Sequence, residues 1–185
     1  MIDYAPSIDG LKGKDNLSGL KQTVYVAPAR VFDSLKGLKT GAAIVGPGDS
    51  VTIDGSHTFI ATEGFTKLYT TYDTAQMMIE SAKNRDQSGG PIKLEAFHPG
   101  SHKEAAEFFR HTPTDEFIVL VEDTNNDPVT GKPYIFQIGQ KDLYASVRAN
   151  YDSKNLTGDR KGFACTIEAF ACGLMYYEGT ITLKP

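Results

Sequence analysis

Between the acidic pairs Asp115-Glu116 and Glu122-Asp123 runs Phe117-Ile-Val-Leu-Val121, five apolar residues with no polar interruption. A strand sends successive side chains to opposite faces, so a run without a polar position needs apolar surroundings on both sides. The segment is therefore expected at the centre of a sheet. A chain of 185 residues is the size of one domain, and one domain is expected over 1–185.

Shorter period-2 segments surround this run. Gln22–Ala27 reads as a strand stopped by Pro28, and Thr66–Tyr72 as another, rich in β-branched and aromatic residues. Leu143, Ala145, Val147, Ala149 and Tyr151 alternate with Tyr144, Ser146, Arg148 and Asn150, the pattern of a half-buried strand. Arg160–Ala171 and Met175–Leu183 read as a closing hairpin turned near Cys172-Gly173. Asp73–Lys83 fits helix or strand; strand is favoured, because the polar loop Asn84–Gly90 then joins it to Pro91–Phe97 as a long hairpin.

One helix is expected. Ser101-His-Lys-Glu104 has the spacing of a capping box, in which the serine hydroxyl and the glutamate each satisfy a free backbone N–H. Ala105, Ala106, Phe108 and Phe109 would form its apolar face, and Thr112-Pro113 would end it. One helix among many strands, in a chain with 18 Gly and 9 Pro, gives a mainly β fold. The expected architecture is a β-sandwich or barrel of antiparallel strands with one flanking α-helix.

Two stretches lie outside this pattern. Residues 1–20 read as an extended lead-in. Ala29–Ser56 is a long Gly-rich arm or loop, and connections of that length are usually functional when ordered. Its apolar residues Phe32, Leu35, Leu38, Ile44 and Val45 are expected to pack on something, with a neighbouring subunit as the candidate.

The search for chemistry returns negatives. Gly46-Pro-Gly48 lacks the lysine and the helix of a phosphate loop, and there is no Gly-x-Ser-x-Gly turn and no Cys-x-x-Cys pair. His98, His102 and His111 surround the expected helix but are spread around its axis, so corner and surface roles are expected rather than metal ligation. Asp123-x-Asn125-x-Asp127 imitates the start of a calcium loop, yet Pro128 and Tyr134 stand where glycine and glutamate are required. A polar hairpin loop is the expected reading. Tyr69, Tyr72, Tyr134, Tyr144, Tyr176 and Tyr177 could form a sugar-binding surface, but cross-strand packing is the commoner use of such residues. Cys165 and Cys172, seven residues apart on one strand, would face opposite ways and remain two buried free thiols. No cofactor, no metal and no catalytic group is expected, and hence no enzyme.

A net charge of −4 argues against a sequence-independent DNA binder. No apolar run is long enough to cross a bilayer as a helix, and Met1-Ile-Asp-Tyr-Ala-Pro6 lacks the basic start and apolar core of a signal peptide.

Five segments together carry a resemblance: Gly19–Pro28, Gly64–Tyr69, Leu94–Ser101 before the helix, Phe117–Val121 and Tyr177–Ile181. Their order, from about Leu17 to Leu183, resembles the tail tube (major tail) proteins of phages and prophages of Bacteroidetes-type bacteria. The resemblance implies a virion structural protein, assembled in the host cytoplasm, whose copies form stacked hexameric rings around a conduit for DNA delivery. Its partners would be copies of itself and other tail proteins, with DNA as passing cargo. A wall that must not hold DNA should be neutral to acidic, since within a screening length of about 8 Å a duplex feels the wall charges. Glu80, Asp86 and Glu95 are the expected lumen-facing residues, while the arm and the Asn84–Gly90 loop would reach the next ring. The alternative from another class is a β-sandwich module that binds carbohydrate or decorates a capsid.

Overall fold

The computed structural model describes residues 16–80, 89–128, 130–155 and 160–185. Among the described residues the protein is mainly β, with antiparallel sheets and one α-helix. The strands are β1 (Leu20–Pro28), β2 (Phe32–Ser34), β3 (Thr58–Phe59), β4 (Thr66–Tyr69), β5 (Gln76–Ile79), β6 (Gly90–Pro99), β7 (Phe117–Asn126), β8 (Pro133–Ile138), β9 (Ser146–Asp152), β10 (Gly162–Ala171) and β11 (Met175–Tyr176). The helix α1 spans Lys103–His111, between β6 and β7. Five strands form one sheet in the order β11-β8-β7-β1-β4, four form a second in the order β5-β6-β10-β9, and β2 pairs with β3.

The uninterrupted run lies on β7, the middle strand of the five. Register places Val24, Val26, Val119, Val121, Phe136 and Ile138 on one face, where Val24, Val26, Val119 and Val121 are at most 1% exposed. The same register puts Ala27, Ile118, Leu120 and Gln137 on the other face, and these are equally buried. The first face joins a core shared with the inward rows of the four-stranded sheet, Ile92, Leu94, Val147, Cys165 and Ile167. The second face is covered by the segment from Val31 to Phe65. Phe32, Phe59, Phe65 and His57 form an aromatic cluster there, with ring centroids 4.5 to 6.4 Å apart, and His57 bonds to Gln137.

The expected strands at Gln22–Ala27 and Leu143–Tyr151 are present as β1 and β9, and Asp73–Lys83 contributes a strand, β5, paired with β6. The polar loop after Glu122 closes the β7–β8 hairpin, with Asp127 accepting from the Thr130 hydroxyl. Asn125 serves a different end: its side chain holds the lead-in by accepting from the Leu17 N–H and donating to the Leu17 carbonyl.

Three expectations are corrected. The closing hairpin does not form. After β10 the chain leaves the four-stranded sheet at Cys172–Leu174, and β11 pairs with β8 in the other sheet. Equal β-patterning in Arg160–Ala171 and Met175–Leu183 could not reveal that the two belong to different sheets. This crossing also leaves Cys172 exposed, whereas Cys165 is buried as expected. The capping box fails as well. His102 is the N-cap, with extended backbone and no side-chain cap bond. Gly100 takes the turn at φ +89° and is tied through its N–H to the Lys161 carbonyl, so the helix starts one residue later than the box requires. Phe108 and Phe109 still supply its inner face, packing on Phe117 and Phe163.

Two measurements check this architecture. Leu120→Ala, at the centre of β7, should cost about 3 kcal/mol in denaturant unfolding, with the slope unchanged. Burial pushes the Cys165 thiol up to about 12, so a thiol reagent at pH 8 should modify Cys172 at once and Cys165 only on unfolding.

Candidate assembly surfaces

The four-stranded sheet has an inner and an outer face of opposite character. Pairing aligns its residues in rows that cross all four strands. The inward row Met77-Leu94-Ile167-Val147 is apolar. The two adjacent rows point outward and read Gln76-Glu95-Thr166-Arg148 and Met78-Lys93-Glu168-Ser146. Each of these two rows carries one acid and one base, so together they are charged but neutral. Lys93 Nζ donates to Glu95 at 2.5 Å, and both groups are close to half exposed, which leaves the pair worth little energetically.

Among the described residues no strand of this sheet pairs with the outer edge of β5 or of β9, while Ala145, just before β9, exchanges two backbone hydrogen bonds with Phe117 of β7. Each unpaired edge presents backbone donors and acceptors that water or another chain must satisfy. All three pairings within the sheet are antiparallel. It follows that β5 and β9 run in opposite directions, and a second copy in the same orientation brings its β5 antiparallel to β9 of the first. Leu143 and Tyr151 remain 43% and 46% exposed at the β9 end.

The second surface is the tip of the arm. Its base is built into the body: Lys39 N–H donates to Thr52, Asp54 N–H to Gly37, and Ile53 N–H to Tyr176. Beyond this base the chain folds back through two short 3₁₀ turns, Gly41–Ala43 and Asp49–Val51. Asp49 staples the tip. One carboxylate oxygen accepts the Val45 and Gly46 N–H groups at 3.0 and 2.8 Å, and the other accepts Lys39 Nζ at 2.6 Å. Lys39 first, then the two backbone donors, hold the Asp49 carboxyl down at about 2.

The expected contact residues divide accordingly. Phe32, Leu35 and Leu38 are half-buried against the protein's own core and are not free for a neighbour. Ile44 and Val45 are exposed, Val45 by 89%. Of the expected lumen residues, Glu95 lies in an outward row and Glu80 is exposed just beyond β5, its N–H held by the Pro91 carbonyl. Asp86 lies outside the described residues. Sequence reading did not single out Arg148 and Glu168, which share the outward rows. The alternation in Leu143–Tyr151 already sets Arg148 opposite Val147, but only the pairing partners show that it shares a row with Glu95.

A cleft of about 460 Å³ beside β5 is lined by Leu17, Leu20, Met77, Ile79, Phe136 and Leu174, with Asp123 as the one ionisable group among the described lining residues. No group of three His, Cys, Asp or Glu residues that could hold a metal occurs among the described residues. His98 is a corner residue whose Nδ1 donates to the Tyr69 carbonyl. The tyrosines do not converge either. Tyr134 and Tyr176 pack edge to face across β8 and β11, Tyr69 sits on β4 at the opposite end of that sheet, and Tyr177 is buried. Comparison with protein-family models, curated proteins and solved structures gives no match.

Acid should loosen the tip before the core. A carboxyl held below its ordinary value stabilises the folded form above that value, and the contribution is lost as pH falls from about 4 toward 2. Amide exchange at Val45 and Gly46 should accelerate through that range, and Asp49→Asn should show the same acceleration already at pH 7.

Proposed function

We propose that this protein is the repeating subunit of a tail-tube-like assembly, a structural conduit for DNA with no enzymatic role. The observation that carries the reading is the four-stranded sheet, with its two strand edges unpaired within the sheet and its two charge-balanced outward rows. A sheet with an even number of antiparallel strands can be continued by copies in one orientation with every seam antiparallel. Because β5 and β9 are different surfaces, the contact is head to tail, and it closes into a ring when the rotation allows. Closure removes the free edges that would otherwise invite disordered aggregation.

In such a ring the outer face lines the bore. Its charges, Glu95 and Arg148 in one row and Lys93 and Glu168 in the next, balance within each row and present neither a basic track that would hold phosphate nor an apolar wall. The chain's overall −4 then belongs mainly to surfaces other than this wall. Ile44 and Val45, on a stapled tip beyond the body, suit contact with the next ring.

Electron microscopy of the purified protein, with size-exclusion chromatography, tests this reading. Tubes or stacked rings are expected. Replacing residues 41–48 by a short Gly-Ser turn should leave the subunit folded and abolish stacking, since the base hydrogen bonds of the arm lie outside the deletion. A wild-type protein that stays monomeric at high concentration contradicts the proposal, and a monomer or small closed oligomer that binds glycans moves the protein to the binding-module class.

A further inference from the structure

His57 is 2% exposed, and its surroundings admit one protonation state. Its Nδ1 accepts the Lys36 backbone N–H at 3.1 Å, so the ring proton sits on Nε2, which donates to Gln137 Oε1 at 2.8 Å. Gln137 is fixed in this orientation because its Nε2 donates to the Gly139 carbonyl at 2.9 Å. The imidazole stacks on Tyr177 at 4.7 Å and meets Phe32 edge-on. The Tyr177 hydroxyl accepts the backbone N–H of His57 and donates to the Thr180 carbonyl. Four segments distant in sequence therefore meet at one ring: the two roots of the arm, strand β8 and the C-terminal stretch.

We propose that His57 is an acid-operated latch, whose neutral ring fastens the arm root to β8 and the C-terminal stretch and whose protonation releases it. An imidazolium carries a proton on both nitrogens, so Nδ1–H would point at the Lys36 N–H, donor against donor in a buried site. Among the described residues nothing nearby compensates the charge. On the arm, Lys36 adds a like charge; the C-terminal stretch presents Tyr177, kept neutral because burial raises its hydroxyl; β8 presents uncharged Gln137; Phe32 and Phe65 are apolar. Burial lowers the ring's pKa, the bond to Gln137 pulls it up, and Lys36 lowers it again, with a net downward shift.

The sign follows from this shift. The latched ring stays neutral over a range in which the released ring takes up a proton. Latching is complete above the ordinary histidine value of about 6.5, and below it the released population rises about tenfold per pH unit until the latched ring also titrates. The latch lies within one chain, so it does not rest on the tube proposal. In an assembly joined through arm tips, it would make those joints sensitive to mild acid, well above the range where Asp49 titrates.

The test is amide exchange on the full chain between pH 7.5 and 5.0, read by NMR and corrected for the intrinsic rate. The Lys36 and His57 amides should lose protection about tenfold per unit below pH 6.5, through an opening in which Val119 and Leu120 stay protected. In His57→Asn, whose side-chain oxygen can accept the Lys36 N–H but cannot titrate, the profile should be flat. A flat wild-type profile overturns the proposal. So does exchange of the arm-root amides only together with the core, or an unchanged slope in His57→Asn. Should the variant not fold, the wild-type profile decides alone.

Discussion

The requirement that β7 be buried on both faces organises the molecule. Val119 and Val121 point into the core shared with the four-stranded sheet, while Ile118 and Leu120 point away from it. Leaving a large apolar side chain in water forfeits about 1.5 to 3 kcal/mol, so that second face needs a cover. The Val31–Phe65 segment supplies it, with its aromatic cluster and the His57–Gln137 bond. A stretch with no regular pattern is thus the third layer of a sandwich. It is held by short pairings, β2 with β3, Leu38 with Ile53 and Thr52 with Tyr176, too brief to leave a periodic pattern in the sequence.

The same constraint decides which surfaces remain for partners. With both faces of the five-stranded sheet covered from within the chain, Phe32, Leu35 and Leu38 are used internally. Among the surfaces that stay open are the edges of β5 and β9 in the four-stranded sheet and the stapled tip at Ile44–Val45. On the proposed reading, each would be completed by a surface elsewhere on an identical copy. His57 sits where the third layer is fastened down, so the ring that completes the core also controls how firmly the tip is held.

Much of this was legible in the residues. The unbroken Phe117–Val121 run located the central strand, alternation located β9, and turn residues located the β7–β8 hairpin. What could not be read was anything that depends on pairing partners. Period-2 patterning is the same whichever sheet a strand joins, so the passage of Met175–Tyr176 into the other sheet was hidden. The neutral rows were hidden for the same reason, because Arg148 and Glu95 lie far apart in sequence and meet through β10. His57 gave no local signal at all. A lone histidine between Ser56 and Thr58 acquires its role only when Gln137 and Tyr177 arrive from the far end of the chain. The capping box misled because its motif counts residues, while the turn at Gly100 is set by a long-range bond to Lys161.

Continuation of the outer sheet by other copies of the chain is the central claim. Amide exchange of Gln76–Ile79 and Ser146–Asp152, compared between dilute and concentrated protein, tests that most directly. Edge amides of both strands that exchange freely when dilute should become protected together as assembly proceeds. Edges that exchange equally fast in the assembled and the dispersed protein would contradict it.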